Sequence, residues 1–137
     1  MNKDCVEMGI NEYDFIKLFL ATNVVLKNNS EFDSLDLQGE LYKYSSDSKY
    51  RFLFQNMDVD DSERKVYIDE AMGYAKAFGL ICKDKENIDD TQFIIILDQD
   101  EAKKIFKKYG KREIEAMDKL CDVISLSKQA KKEKVKN

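Results

Sequence analysis

The segment DVDDSERKVYIDE sets Asp58, Asp60 and Ser62 at alternate positions, the spacing of the first three oxygen ligands in an EF-hand calcium loop. The match stops there. Glu63 stands where that loop needs glycine for its turn, Lys65 where an apolar residue is usual, and Asp69 where a bidentate glutamate closes the shell. The simpler reading is acidic residues that precede and cap a helix, and no metal site is expected. The chain has no histidine, and its three cysteines (Cys5, Cys82, Cys121) are widely spaced, with no C-x-x-C pair. Most transition-metal sites and any histidine base or triad therefore lack their residues. The five glycines (Gly9, Gly39, Gly73, Gly79, Gly110) are isolated, so no phosphate-cradling loop is spelled out. No cofactor is expected, and the chain is read as a binding protein rather than an enzyme.

Binding chemistry has two candidate surfaces. In KKIFKKYGKR, Lys103, Lys104, Lys107, Lys108, Lys111 and Arg112 interleave with Ile105, Phe106 and Tyr109. At helical spacing the cations fall mostly opposite Ala102, Ile105, Phe106 and Tyr109, which amphipathic geometry alone explains. It is also the best candidate contact for an acidic partner, a phosphate backbone or an acidic face of another copy. The second surface is acidic: Asp58, Asp60, Asp61, Glu63, Asp69 and Glu70. Residues 1–97 hold 11 Lys/Arg against 19 Asp/Glu, whereas residues 128–137 hold five lysines and one glutamate. Affinity for nucleic acid rests largely on cations displacing counterions from phosphates. Most of the chain repels such a ligand, and a protein partner is the first expectation.

The elements that must position these groups follow from apolar spacing. Asn11 can cap a helix with Asp14 at its third position, and Phe15, Leu18, Phe19, Thr22, Val25 and Leu26 form its core face. Leu37, Leu41 and Tyr44 favour a short helix from Ser34 or Asp36. In KYRFLFQNM, helical spacing (Tyr50, Leu53, Phe54, Met57) accounts for more apolar residues than alternation does. Asp69 can cap a third helix whose face is Ala71, Met72, Ala75 and Phe78, stopped by a left-handed Gly79. A start at Ser62 is the alternative, disfavoured by the β-branched Val66 and Ile68. Leu80 and Ile81 enter an extended run. Phe93–Leu97 is dense in β-branched residues and predicts a strand covered on both faces. Asp98 with Glu101 approximates a capping box for the next helix. After Gly110 a second stripe, Ile114, Met117, Leu120, Cys121 and Ile124, continues to a lysine-rich tail expected to fray.

That order resembles a winged helix-turn-helix domain over about Asn11 to Tyr109. The residues that carry the resemblance are the small Ala71 and Ala75 on the third helix, followed by Phe78-Gly79-Leu80-Ile81 running into a hairpin. The resemblance implies an α+β, mostly helical chain with one β-hairpin and a C-terminal helical extension over residues 1–127; the composition of residues 128–137 adds a basic, disordered tail. The resemblance also implies a third helix that enters the major groove and a wing that contacts the backbone or minor groove. Carried onto this chain, these are Glu70, Gly73, Tyr74, Lys76 and Ala77 with Arg64 and Lys65 upstream, and Lys83 and Lys85 on the wing. Segment 46–61 fits the pattern poorly. The would-be reading head is acidic, so the expected function is an interaction protein that binds a protein partner or itself. The rivals are a transcription regulator using Lys103–Arg112 and the lysine tail, and an acidic nucleic-acid mimic. Ile114, Met117, Leu120, Cys121 and Ile124 are the candidate homodimer helix, with packing back on the first helix as the alternative.

At 137 residues and 43% hydrophobic content the chain can bury one core despite its 36% charged residues. Its longest apolar run, Phe93 to Leu97, falls far short of the roughly 20 residues a membrane span needs. Reduced thiols and the lack of an apolar N-terminal core make a cytoplasmic, non-membrane protein the expectation.

Overall fold

In the computed structural model, which describes residues 10–86 and 90–136 (backbone alone for 126–136), the first helix is the axis of the molecule. Helix α1 (Glu12–Val25) starts where the Asn11 side chain accepts from the Asp14 N–H at 2.8 Å. Its apolar residues do more than line one face: Phe15, Ile16, Leu18, Phe19, Leu20 and Ala21 are all buried. A helix apolar around most of its circumference must be enclosed by other elements.

The chain leaves α1 through β1 (Glu31–Asp33), α2 (Ser34–Tyr44), a 3-10 turn (Arg51–Phe54), β2 (Asp58–Asp60), β3 (Lys65–Tyr67), α3 (Asp69–Ala77), β4 (Ile81–Lys83), β5 (Gln92–Ile95), α4 (Gln99–Phe106) and α5 (Lys111–Lys136). Helices α3, α4 and α5 pack on α1. The chain is α+β and mostly helical. An antiparallel sheet of order β1–β5–β4 closes one side, with Phe32 opposite Phe93 and Ile81 opposite Ile95. Asp33 joins that sheet to α2. One oxygen accepts from the Leu35 and Asp36 N–H groups at 2.9 and 3.0 Å, capping the helix. The other accepts from Gln92 Nε2 at 2.6 Å and Thr91 Oγ1 at 3.1 Å.

Several expectations are corrected. There is more than one β-hairpin: β2 and β3 pair separately, Val59 opposite Val66. The acidic segment therefore folds as a hairpin, with Val66 wholly buried from β3 and Ile68 wholly buried at the junction with α3. Asp69 is the first helical residue of α3, not its cap; Ile68 holds the cap position without a side-chain bond. Segment 46–61 is turns, the 3-10 turn and β2, although the helically spaced Tyr50, Leu53, Phe54 and Met57 are indeed the buried set. Ile96 is 50% exposed, so the Phe93–Leu97 run is covered on one face as the strand alternation requires. Gly79 does adopt the left-handed conformation, φ +71°. Asp98 caps α4 by accepting from the Glu101 N–H at 2.8 Å.

The C-terminal stripe settles inward. Met117, Leu120 and Cys121 are buried within the chain's own core, and Ile114 and Ile124 are half-buried against it. Helix α5 thus packs back on α1, the alternative placement for that stripe. A clasp fixes the arrangement: Lys27, just past α1, pairs with both Asp118 and Asp122 on α5. Burial opposes the Lys27 charge, but its hydrogen bonds to the two aspartates outweigh that and hold its pKa above the ordinary lysine value. The α5 backbone stays helical to Lys136, through the segment whose composition predicts fraying.

Candidate interaction surfaces

The six cations of the basic candidate, Lys103, Lys104, Lys107, Lys108, Lys111 and Arg112, are all exposed. They do not form one stripe. Helix α4 ends at Phe106 and α5 begins at Lys111, so the set bends through a turn in which Glu113 Oε1 accepts from the Gly110 N–H at 2.8 Å. Tyr109 anchors that turn by donating to Asp14 Oδ1 on α1 at 2.6 Å. Burial and the Asp14 bond raise the phenol well above its ordinary pKa, which keeps it a donor. Arg112 lies with its guanidinium carbon 3.9 Å from the Phe52 ring centroid, a contact between residues sixty positions apart.

The acidic candidate divides in two. Asp60, Asp61 and Glu63 sit at the tip of the β2–β3 hairpin, where Asp60 is used internally. It accepts from the Glu63 N–H at 3.0 Å and from the Tyr67 hydroxyl at 3.1 Å. The Glu63 backbone bond, ahead of the Tyr67 bond, holds the Asp60 carboxyl below its ordinary pKa. Asp61 accepts from Tyr42 Oη on α2 at 2.9 Å. Asp58, Asp69 and Glu70 gather instead around Glu12, lining a shallow cleft with Tyr67. Glu12 Oε2 accepts from the Ala71 N–H at 2.8 Å and so caps α3 from another helix. Desolvation raises the Glu12 pKa, and the neighbouring Glu70, Asp69 and Asp58 charges add to the rise.

A third surface was missed in the sequence. Phe78, expected on the core face of α3, is 67% exposed. It is the C-cap residue, where the chain turns toward the left-handed Gly79 and leaves the helical face. Its ring centroid lies 4.4 Å from that of Tyr74, which lies 5.1 Å from that of Tyr13 on α1. The Lys17 ammonium stands 5.7 Å from the Tyr74 ring centroid. The i, i+4 pair Tyr74 and Phe78 was visible in the sequence; the addition of Tyr13 from 61 residues away was not. The other α3 positions of interest, Glu70, Gly73, Lys76 and Ala77, are exposed, as are Arg64 at the hairpin turn (φ +55°) and, at the β4–β5 hairpin, Lys83 and Lys85. Lys65 is half-buried, its ammonium 4.7 Å from the Tyr67 ring centroid. Lys83 is paired with Asp90, and positions 87–89 between β4 and β5 lie outside the described residues.

Among the described residues no group of three His, Cys, Asp or Glu is placed to hold a metal ion, and no helix is long and apolar enough to cross a membrane. Searches against protein-family models, curated proteins and solved structures return no match.

Proposed function

We propose that this chain is a non-enzymatic interaction module of winged-helix-like topology, and that it docks a protein partner through the aromatic face of α3. The succession α1–β1–α2–α3–β4–β5 with sheet order β1–β5–β4 supports the winged-helix reading, with β2–β3 inserted between the second and third helices. The observation that carries the function is the surface of α3 itself. The helix such domains lay into a groove of DNA here offers Tyr74 and Phe78 with Tyr13 beside them, while its N-terminal end is ringed by Glu12, Asp58, Asp69 and Glu70. Clustered aromatics with an exposed edge are what protein interfaces enrich, and carboxylates repel a phosphate backbone. The complementary partner is an apolar patch with a cationic rim.

Hydrogen exchange on the chain, alone and with a partner captured from native lysate, tests this. Protection is expected over residues 13–17 and 74–78, with capture lost in Phe78→Asp and kept in Lys107→Glu. Self-association through the same face would double the mass in light scattering, and Phe78→Asp would restore the monomer. Protection confined to other surfaces overturns the reading. So does loss of duplex DNA binding on Tyr74→Ala, which would make α3 a DNA-reading helix.

A further inference from the structure

A groove of about 670 Å³ runs between the segment 49–52 and the first turns of α5. Its charged lining is Lys49, Lys111, Arg112 and Lys119 against a single carboxylate, Glu115. In the sequence these cations belong to separate stretches, and Lys49 lies in the segment that fits the winged-helix pattern poorly. Among the described residues Glu115 pairs with Lys111 alone, at 3.8 Å. Among the described residues no carboxylate lies within ion-pair distance of Lys49, Arg112 or Lys119. The α5 carboxylates nearest in sequence to Lys119, Asp118 and Asp122, are taken by Lys27.

Two features make this more than a solvated helix face. Lys111 and Arg112 occupy the first turn of α5, the positive end of its dipole, where cations are disfavoured; the one carboxylate of that turn, Glu113, is turned back to accept from the Gly110 N–H at 2.8 Å. Arg112 is also held over Phe52, its guanidinium carbon 3.9 Å from the ring centroid, a contact that by itself occupies none of its N–H donors. A guanidinium fixed in this way keeps its planar fork free for the bidentate geometry that phosphate oxygens accept.

We propose that this groove binds the phosphate backbone of duplex nucleic acid, independently of the α3 face. Duplex is favoured over single strand because Phe52 is half-buried under Arg112, which leaves no open aromatic platform on which an unpaired base could stack. A duplex concentrates more charge along its length, and the four cations meet that charge without reading sequence. Docking of another copy's acidic cleft into the groove would be head-to-tail and would not close on itself, giving polymers.

The test is fluorescence anisotropy of a random 20-base-pair duplex with the full chain across 50 to 200 mM salt. Four phosphate contacts give a log–log salt slope of about −3.6, a loss of roughly 150-fold in affinity over that range, with any contribution from the tail adding to it. In Lys111→Gln/Arg112→Gln/Lys119→Gln, with its fold checked by circular dichroism, the slope should become shallower by about 2.7. Lys103→Gln/Lys104→Gln on α4 should leave it unchanged. Arg112→Lys, which keeps the charge but loses the stacked fork, should retain the slope and weaken binding a few-fold. Capture of a partner by the α3 face should survive all of these variants, so the two proposals fail separately. The inference is overturned if the triple variant binds duplex like the parent, or if a single strand or polyglutamate of equal charge binds as tightly. It is also overturned if light scattering shows salt-sensitive polymers that the triple variant abolishes.

Discussion

The cap that Glu12 places on α3 joins two helices through one hydrogen bond, and two substitutions separate its parts. Glu12→Ala removes the acceptor from the Ala71 N–H and exposes the start of α3. Lost caps cost about 1 kcal/mol, within a range of roughly 0.5–2. For a chain of this length that is a fall in melting temperature of about 3–5 °C. Glu12→Gln keeps a side-chain oxygen of similar reach and removes only the charge. The dipole of α3 favours that charge, whereas desolvation and the carboxylates of Glu70, Asp69 and Asp58 oppose it. The opposing effects win, because the folded-state pKa is raised. The fold therefore binds the Glu12 proton more tightly than the unfolded chain does. The associated stability is fully present below the unfolded pKa, about 4.3, and is lost as pH rises through the folded value. Glu12→Gln should thus match the wild type at pH 4 and equal or exceed it at pH 7.5, while Glu12→Ala stays below both. Thermal and urea unfolding followed at 222 nm would show this. The reasoning fails if Gln costs as much as Ala at pH 7.5, or if Ala melts with the wild type.

Other expectations concern the core and the backbone. Leu120 is wholly buried, so Leu120→Ala should cost about 2–5 kcal/mol in urea unfolding, and the midpoint should not depend on protein concentration, as it would for a helix buried only by pairing. A Cβ at Gly79 meets nothing within 4 Å, yet φ is +71°; Gly79→Ala should therefore cost about 1–2 kcal/mol from backbone strain alone. Burial pushes the Cys121 thiol up to about 12, while Cys82 is exposed. Iodoacetamide at pH 8 should therefore label Cys82 in the native protein and Cys121 only after unfolding, as peptide mass mapping can check.

What the sequence determined by itself is local. Asn11 and Asp98 cap helices because a short polar side chain can reach the N–H three residues on whatever the rest of the fold does. Gly79 ends α3 because only its backbone enters the left-handed region without strain. Leu37 and Leu41, four apart, bury one face of α2. The misread segments are those whose local signals are weak or contradictory. Strands β2 and β3 are three residues each, too short for alternation to outweigh the helical reading of their flanks, and β3 packs against α2. Phe78 lies on the core face by helical spacing, but its place at the last cap turns it outward.

Only the tertiary structure decided that α5 packs on α1, since an apolar stripe specifies burial and not the surface that supplies it. Lys27 with Asp118 and Asp122 supplies the answer, across more than ninety residues of chain. The same holds for the candidate surfaces. Tyr13 reaches Tyr74, and Phe52 reaches Arg112, because the shared core brings their elements together. No short window of sequence encodes a contact between distant residues; periodicity records which face of an element is buried, and packing alone sets which elements meet.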